Sequence, residues 1–264
     1  MLMRLYGLLD VLPFWALFAI TVMIAWLSFE GGFRTGRWRG QRQDHEKEVV
    51  VRSEVGVMLS LVTFILAITF WIAATHFDAV RQALLSEANA IKATYLRADL
   101  LPEPHRTEIR NLLRDYVDVR LEAARTGKID QAIARSEELH SRIWSQAVAA
   151  REKTSSPIFA GYFIQSLNEV IALHTRRLTV GQEFRIPTTI WIVLYVIMTL
   201  AVVAIGFHAG LTRARRPLVI AAFVLIFSVV MTVIADLDSP RRGALKVSQQ
   251  ALTDQRRTMN APAP

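Results

Sequence analysis

The 264-residue sequence has no cysteine. That excludes disulfides, thiolate nucleophiles, zinc–thiolate centres and cysteine-ligated iron–sulfur clusters. It has no period-two run of apolar residues long enough to read as a strand. Catalytic signatures are missing too: there is no Gly-x-Ser-x-Gly, no phosphate-cradling glycine loop ending in Lys, and no dinucleotide fingerprint. The six histidines, His45, His76, His105, His140, His174 and His208, form neither His-Glu-x-x-His nor His-x-x-His. Neither a metal site nor a cofactor is therefore expected. The first three apolar blocks carry no internal charge, which argues against a proton-coupled transporter, since these place an acidic or histidine side chain at mid-membrane.

What the sequence does hold is apolar residues gathered into blocks. Hydrophobic residues make up 52%, with a mean hydropathy of +0.29, in a chain that is still 20% charged. Four segments reach the roughly 20 apolar residues needed to cross a hydrocarbon core of about 30 Å. They run at about Val11–Phe29, Val55–Thr75, Thr188–Phe207 and Pro217–Ala235. The first is too long for a signal-peptide core, and Glu30-Gly31-Gly32-Phe33 and arginines follow it rather than a small-residue cleavage site. It reads as an anchor helix. Trp15, Trp26, Trp71 and Trp191 lie towards segment ends, as interfacial aromatics do.

Between the second and third blocks the pattern changes to mixed charge with apolar residues at helical spacing. Four stripes recur: Phe77, Leu84, Ala88, Ile91 and Tyr95; Ile109, Leu112, Leu113, Tyr116 and Val117; Ile133, Leu139, Ile143 and Trp144; and Phe163, Leu167, Val170, Ile171 and Leu178. Such spacing predicts amphipathic helices. Breaks are expected at Pro102 and Pro104, at Gly127, and at Ser155-Ser156-Pro157, with Ser156 as N-cap and Pro157 as the first helical residue. Gly181 and Pro187 close the region. No breaker separates the second membrane segment from Phe77 onwards, so one long helix is expected there. The fold class is all-α, an integral membrane protein with four transmembrane helices and a helical domain between the second and third. The expected divisions are 1–75 (two membrane helices and a basic loop), 76–187 (helical domain), 188–236 (two membrane helices) and 237–264 (a short polar tail).

The formal net charge of +8 is concentrated in arginines beside apolar blocks, as in Arg34-Thr35-Gly36-Arg37-Trp38-Arg39 and Arg213-Ala214-Arg215-Arg216. Juxtamembrane Arg sets orientation and meets anionic headgroups, so the lipid bilayer is the partner and no nucleic acid is expected. Arg34, Arg37, Arg39, Arg42, Lys47 and Arg52 between the first two blocks, and Arg213, Arg215 and Arg216 before the fourth, place both short loops on the cytoplasmic side. The helical domain then faces outward from a cell membrane, into the periplasm where there are two. Against this stand Arg241, Arg242 and Lys246. Single cysteines at Ser136 and Gln41 would test the orientation.

Two strings carry more information. One is Glu87-Ala88-Asn89-Ala90-Ile91-Lys92-Ala93-Thr94-Tyr95-Leu96-Arg97, with Arg81 before it and Leu100-Leu101-Pro102 after. The other is Asp236-Leu237-Asp238-Ser239-Pro240-Arg241-Arg242-Gly243. With the four-block layout they resemble the bacterial bestrophin-like membrane family over about Gly56–Ser248. Lys92 stands where that family often has glycine. The family is distantly similar to bestrophins, which are pentameric, calcium-gated anion channels with a large helical region between their second and third membrane segments. The resemblance implies a homo-oligomer and an inorganic anion as ligand. Calcium gating is not expected, because Asp236 and Asp238 alone supply too few oxygens for an ion that takes 6–8.

The candidate polar network comprises Arg81, Glu87, Asn89, Tyr95, Arg97, Asp236, Asp238 and Arg241. Glu87 and Asn89 are two apart and face different ways. They join helices or subunits, or they are a surface Glu and a locally satisfied Asn. Arg81 and Arg97 attract anions, or pair with lipid phosphate or a local carboxylate. Asp236 follows an apolar run and needs a partner such as Arg241, Arg242 or Arg81, or it is a helix-end stop. Two functions follow: an oligomeric channel lined by the second helix through Ser60, Thr63 and Thr69, or a membrane-anchored sensor whose helical domain binds a partner. Trp144, Phe159, Tyr162 and Phe163 are the expected contact surface between copies.

Overall fold

A computed structural model describes residues 13–39, 46–153, 157–183, 186–212, 217–239 and 247–260. Within these, side chains are described for all but 46–55, 157, 182, 183, 217 and 219. The described residues are helical almost throughout: α1 Phe14–Arg39, α2 Glu46–Arg97 with a 3₁₀ turn Ala98–Leu100, α3 His105–Thr126, α4 Ile129–Lys153, α5 Pro157–Glu183, α6 Thr188–Leu211, α7 Pro217–Asp238 and α8 Gln250–Asn260. They form two compact units. One holds residues 1–77 and 185–245, the other 78–184 and 246–264.

In the first unit α1, α2, α6 and α7 each contain a stretch long and apolar enough to cross a bilayer. With no water in hydrocarbon to satisfy backbone groups, a helix is the form such a stretch must take. The protein is a multi-pass membrane protein. The core gathers Phe29 and Phe33 of α1, Ala73 of α2, Trp191, Leu194 and Met198 of α6, and Phe227, Met231 and Ile234 of α7.

Helix α1 differs from its sequence expectation. It runs through Gly31–Arg39, which had been assigned to a basic loop, while Val11 lies outside the described residues. The reason is packing. Gly32 and Gly36 of α1 and Gly206 and Gly210 of α6 interlock, each seated against the other helix's backbone. A Cβ at Gly32 would meet the Val203 carbonyl, and one at Gly206 the Phe29 carbonyl, well inside 3.0 Å. Small residues four apart let two membrane helices approach backbone to backbone, and this contact outweighs the low helix propensity of glycine. The pairs Phe29–Gly206 and Phe33–Gly210 rise together, so α1 and α6 are parallel, as the first and third crossings of one chain must be. Higher on the pair, the Tyr195 hydroxyl and Thr21 Oγ1 are hydrogen-bonded at 2.8 Å, and Thr21 also donates to the Leu17 carbonyl.

The second unit is built from α3, α4, α5, the part of α2 beyond Phe77, and α8. Most stripe residues bury: Ile91, Ile109, Leu112, Leu113, Val117, Leu139, Ile143, Phe163, Leu167 and Val170 form one core, while Ile133 is half-buried and Trp144 is exposed. Gly127 ends α3 with φ +74, where its N–H donates to the Ala123 carbonyl, the left-handed cap that glycine adopts without strain. Pro157 opens α5; Ser155 and Ser156 lie outside the described residues.

The polar tail expected over 237–264 contains a helix instead. Leu252 and Met259 of α8 are buried in the core of the second unit, and Arg256 grips Asp118 of α3 through both carboxylate oxygens at 2.6 and 2.7 Å. The Gln255 amide spans the α2 backbone, donating to the Ala88 carbonyl and accepting from the Lys92 N–H at 2.7 and 2.8 Å. An isolated helix of this length is marginal in water, so α8 owes its stability to this docking. Leu252→Ala is expected to cost about 2–5 kcal/mol, read as an earlier denaturant midpoint of the helical unit.

Candidate functional site

The polar centre of the helical unit is assembled by four helices. Glu87 of α2 is fully buried. Its Oε1 accepts a 2.6 Å hydrogen bond from the Tyr116 hydroxyl of α3, and Arg120 Nε, one turn further along α3, lies 3.5 Å from the same oxygen. On the other side Arg177 Nε of α5 is 2.7 Å from Oε2. His174, three residues before it, places Nδ1 2.9 Å from the Tyr116 hydroxyl and 3.7 Å from Oε1. His174 Nδ1 also meets Arg177 Nη2 at 3.4 Å. His140 of α4 closes the cluster, its ring 4.8 Å from that of Tyr116 and edge-on to that of His174 at 5.0 Å.

The electrostatics follow from this packing. Burial by itself raises the Glu87 pKa, but the His174 hydrogen bond, the Arg120 and Arg177 charges and the Tyr116 hydrogen bond outweigh it and lower the value to about 2. The carboxylate is ionised throughout the physiological range. Tyr116 is pushed well above its usual value by burial and by the Glu87 charge. His140 is lowered to about 4, first by burial and then by His174, with Glu87 opposing. A carboxylate held between two guanidinium groups and hydrogen-bonded by a phenol is a cross-brace between α2, α3 and α5. Among the described residues no three His, Asp or Glu side chains are placed to share a metal ion.

Tyr95 belongs to a second cluster in the same unit. Its hydroxyl accepts from Arg110 Nη2 at 2.9 Å and Arg114 Nη2 at 2.6 Å, and donates to the Met259 carbonyl at 3.1 Å. The Arg110 guanidinium lies over the Tyr95 ring, 4.4 Å from its centroid, and also pairs with Asp99 at 2.5 Å. Arg114 Nε donates to the same Met259 carbonyl at 3.0 Å, which caps the last turn of α8.

The other sequence candidates fall elsewhere. Arg81 and Asn89 are exposed and Arg97 is half-buried. Asn89 therefore stands outside the Glu87 cluster, because two residues of helix turn it about 200° away from the buried face. Asn89→Leu is expected to melt within about 0.5 kcal/mol of the parent. Asp236 and Asp238 are buried in the membrane unit. Asp238 Oδ1 accepts from the Ile186 N–H at 2.9 Å and lies 3.9 Å from His76 Nδ1 of α2. His76 is itself buried. Arg241 and Arg242 lie outside the described residues.

Four members of the Glu87 cluster, Arg120, His140, His174 and Arg177, were not singled out from sequence. A signal for them existed. Each falls in phase with an apolar stripe: Arg120 with Tyr116 and Ala123, His140 with Ser136 and Ile143, His174 and Arg177 with Val170. A polar residue in phase with buried neighbours must find a partner.

The architecture is shared with solved structures. Three structures of a bacterial bestrophin homologue from Klebsiella pneumoniae, each carrying one substitution, superpose on this chain with TM-scores of 0.69, 0.67 and 0.65. Sequence identities are 12%, 12% and 13%. The matches cover 91–92% of this chain and 96–97% of the other. No curated protein sequence matches it. Residues 16–252 match the Bestrophin-like domain, from within α1 to within α8, and on that match the chain belongs to the Bestrophin-like family.

Proposed function

We propose that this protein is a homo-oligomeric anion channel in which α2 faces the conducting path. One observation carries the reading. In the most apolar stretch of α2 only 17% of residues are buried within the chain, against 39%, 33% and 44% for α1, α6 and α7. A membrane helix so little covered by its own chain is available to neighbouring copies or to a path. Ser60 and Thr63 are on its exposed side, while Thr69 is buried. The Ser60 and Thr63 hydroxyls donate to the Gly56 and Leu59 carbonyls of their own helix, which leaves their oxygen lone pairs outward. Preference for an anion then comes from net positive charge and from basic side chains such as Arg81, which α2 carries exposed beyond its membrane part.

Contact between copies in the helical unit falls to Trp144, Phe159 and Tyr162, which are 39%, 45% and 51% exposed. Phe163 is removed from that set, since it is fully buried in the core of its own unit. The test is reconstitution into a planar bilayer under a chloride gradient. A reversal potential near that of chloride supports the reading. No conductance from a folded oligomer, or a monomer by light scattering, rejects it.

The same reading needs an orientation. The Lys/Arg clustered where α1 gives way to α2 and where α6 gives way to α7, helix ends included, supports a helical unit on the outer side of the membrane. Ser136 is fully buried and so is unsuitable as a labelling site. Gln131, exposed near the start of α4, serves instead. In the cysteine-free background, Gln131→Cys should react with an impermeant maleimide on intact spheroplasts, and Gln41→Cys, outside the described residues, should not. The reverse pattern places the helical unit in the cytoplasm.

A further inference from the structure

The membrane unit carries a groove of about 410 Å³ on the outer surface of α6. One wall is the row Thr188, Ile192, Val196 and Leu200, four residues apart, and the floor is the adjacent row Trp191, Tyr195 and Thr199. Ile24 of α1 forms the opposite wall. Ile192, Val196 and Leu200 are 41%, 51% and 62% exposed, so the groove opens sideways, towards the bilayer. From Thr188 to Leu200 it follows twelve residues of helix, about 18 Å at 1.5 Å each. Half of a hydrocarbon core of about 30 Å is about 15 Å. The groove therefore matches the depth of one leaflet.

Its two ends differ. The Leu200 end pairs Leu200 with Thr199, and neither is buried. At the other end, Thr188 is buried and its Oγ1 has no hydrogen-bond partner. Thr188 also opens α6, where Pro187 at the N-cap supplies no side-chain cap. The first-turn N–H groups of a helix lack intrahelical acceptors and carry the positive end of its dipole. The Ile190 N–H is satisfied by the Pro187 carbonyl at 2.9 Å, which leaves the Thr188 hydroxyl as the unpaired group, and an unpaired hydroxyl at membrane level is costly unless a partner arrives. A slot one leaflet long, lined mainly by apolar side chains, with its one buried unpartnered hydroxyl at the Thr188 end, fits a molecule with the same polarity.

We propose that this groove is a phospholipid site: one acyl chain lies along α6 between Ile24 and the Thr188–Leu200 row, and an ester or phosphate oxygen accepts from the Thr188 hydroxyl. Apolar side chains of a second copy would fill such a slot without needing donors at one end. The proposal does not depend on whether the protein conducts.

The test uses the full chain in detergent, delipidated and then titrated with phosphatidylglycerol, with retained lipid counted by native mass spectrometry. The parent should hold one lipid per chain. Val196→Trp and Ile192→Trp, both at exposed wall positions, should each lower occupancy about tenfold with oligomer mass and melting temperature unchanged. Thr188→Val removes one hydrogen bond and should weaken retention by about 2- to 10-fold. A parent that holds no lipid overturns the proposal, as do tryptophan variants that retain as much as the parent. Loss of the oligomer in these variants, with the lipid count unchanged, also overturns it and assigns the groove to a second copy.

Discussion

Glu87→Ala is expected to destabilise the helical unit by about 3–5 kcal/mol, because it leaves two buried guanidinium groups without their carboxylate. Arg120 and Arg177 are both about nine-tenths buried, and both reach Glu87. Neither can be deprotonated to escape the cost. Glu87→Gln keeps the shape and one acceptor oxygen but loses the charge and the second acceptor, so it should fall between parent and alanine variant. Denaturant titration followed by far-UV circular dichroism measures both. A Glu87→Ala variant within 1 kcal/mol of the parent would show that the cluster is not a brace.

The same cluster fixes the sign of the acid response. His140 has a folded pKa of about 4, below its usual 6.5, so the folded state disfavours its protonation. Its contribution is fully present above pH 6.5 and is lost as pH falls from there towards 4. This is worth at most about 3 kcal/mol. Glu87 acts in the same direction in a lower window. Its pKa is about 2 in the fold against 4.5 unperturbed, so its contribution is present above pH 4.5 and is lost on the way to 2, about 3 kcal/mol in all. Stability should therefore fall in two steps on acidification. His140→Gln should flatten the upper step and leave the lower one. A parent whose midpoint is constant between pH 7 and 4 would contradict the assignment.

The second large effect is expected in the membrane unit. Gly206→Leu places a side chain against the Phe29 carbonyl and the Phe33 backbone, and Gly32→Leu places one against Val203 and Phe207. Backbone cannot move aside as a flexible side chain can, so α1 and α6 must separate. A cost of about 3 kcal/mol or more follows, at the upper end of what overpacking produces. Even alanine at either position should cost about 2 kcal/mol. Gly31 is the internal control: a Cβ there meets nothing within 4 Å, on the same helix and one residue away. Gly31→Ala should be neutral, or stabilising by about 0.5–1 kcal/mol through helix propensity. Thermal melts in detergent with size-exclusion profiles separate the two classes. Equal behaviour of Gly31→Ala and Gly32→Ala would sink the interlocking account.

Sequence by itself determined the four membrane helices, since an apolar stretch of bilayer length has no other way to satisfy its backbone. It also determined the phase of the helical stripes, since periodicity gives each residue's direction about its own axis. Ile91, Ile109, Leu113 and Val170 went to the core on that ground alone. The same phase separates Glu87 from Asn89. Periodicity cannot say which neighbouring helix a residue meets. The convergence of Glu87, Tyr116, His140, His174 and Arg177 was decided only when four helices packed, and so was the seating of Tyr95 against the last turn of α8. Gly32 and Gly36 look like a loop because glycine propensity is local, whereas their helix is stabilised by backbone contact with α6, a partner about 170 residues away. Helix α8 offers mainly Leu252 and Met259 as apolar anchors over its 11 residues, too weak a pattern to form alone, and it exists because α2 and α3 supply the surface it covers.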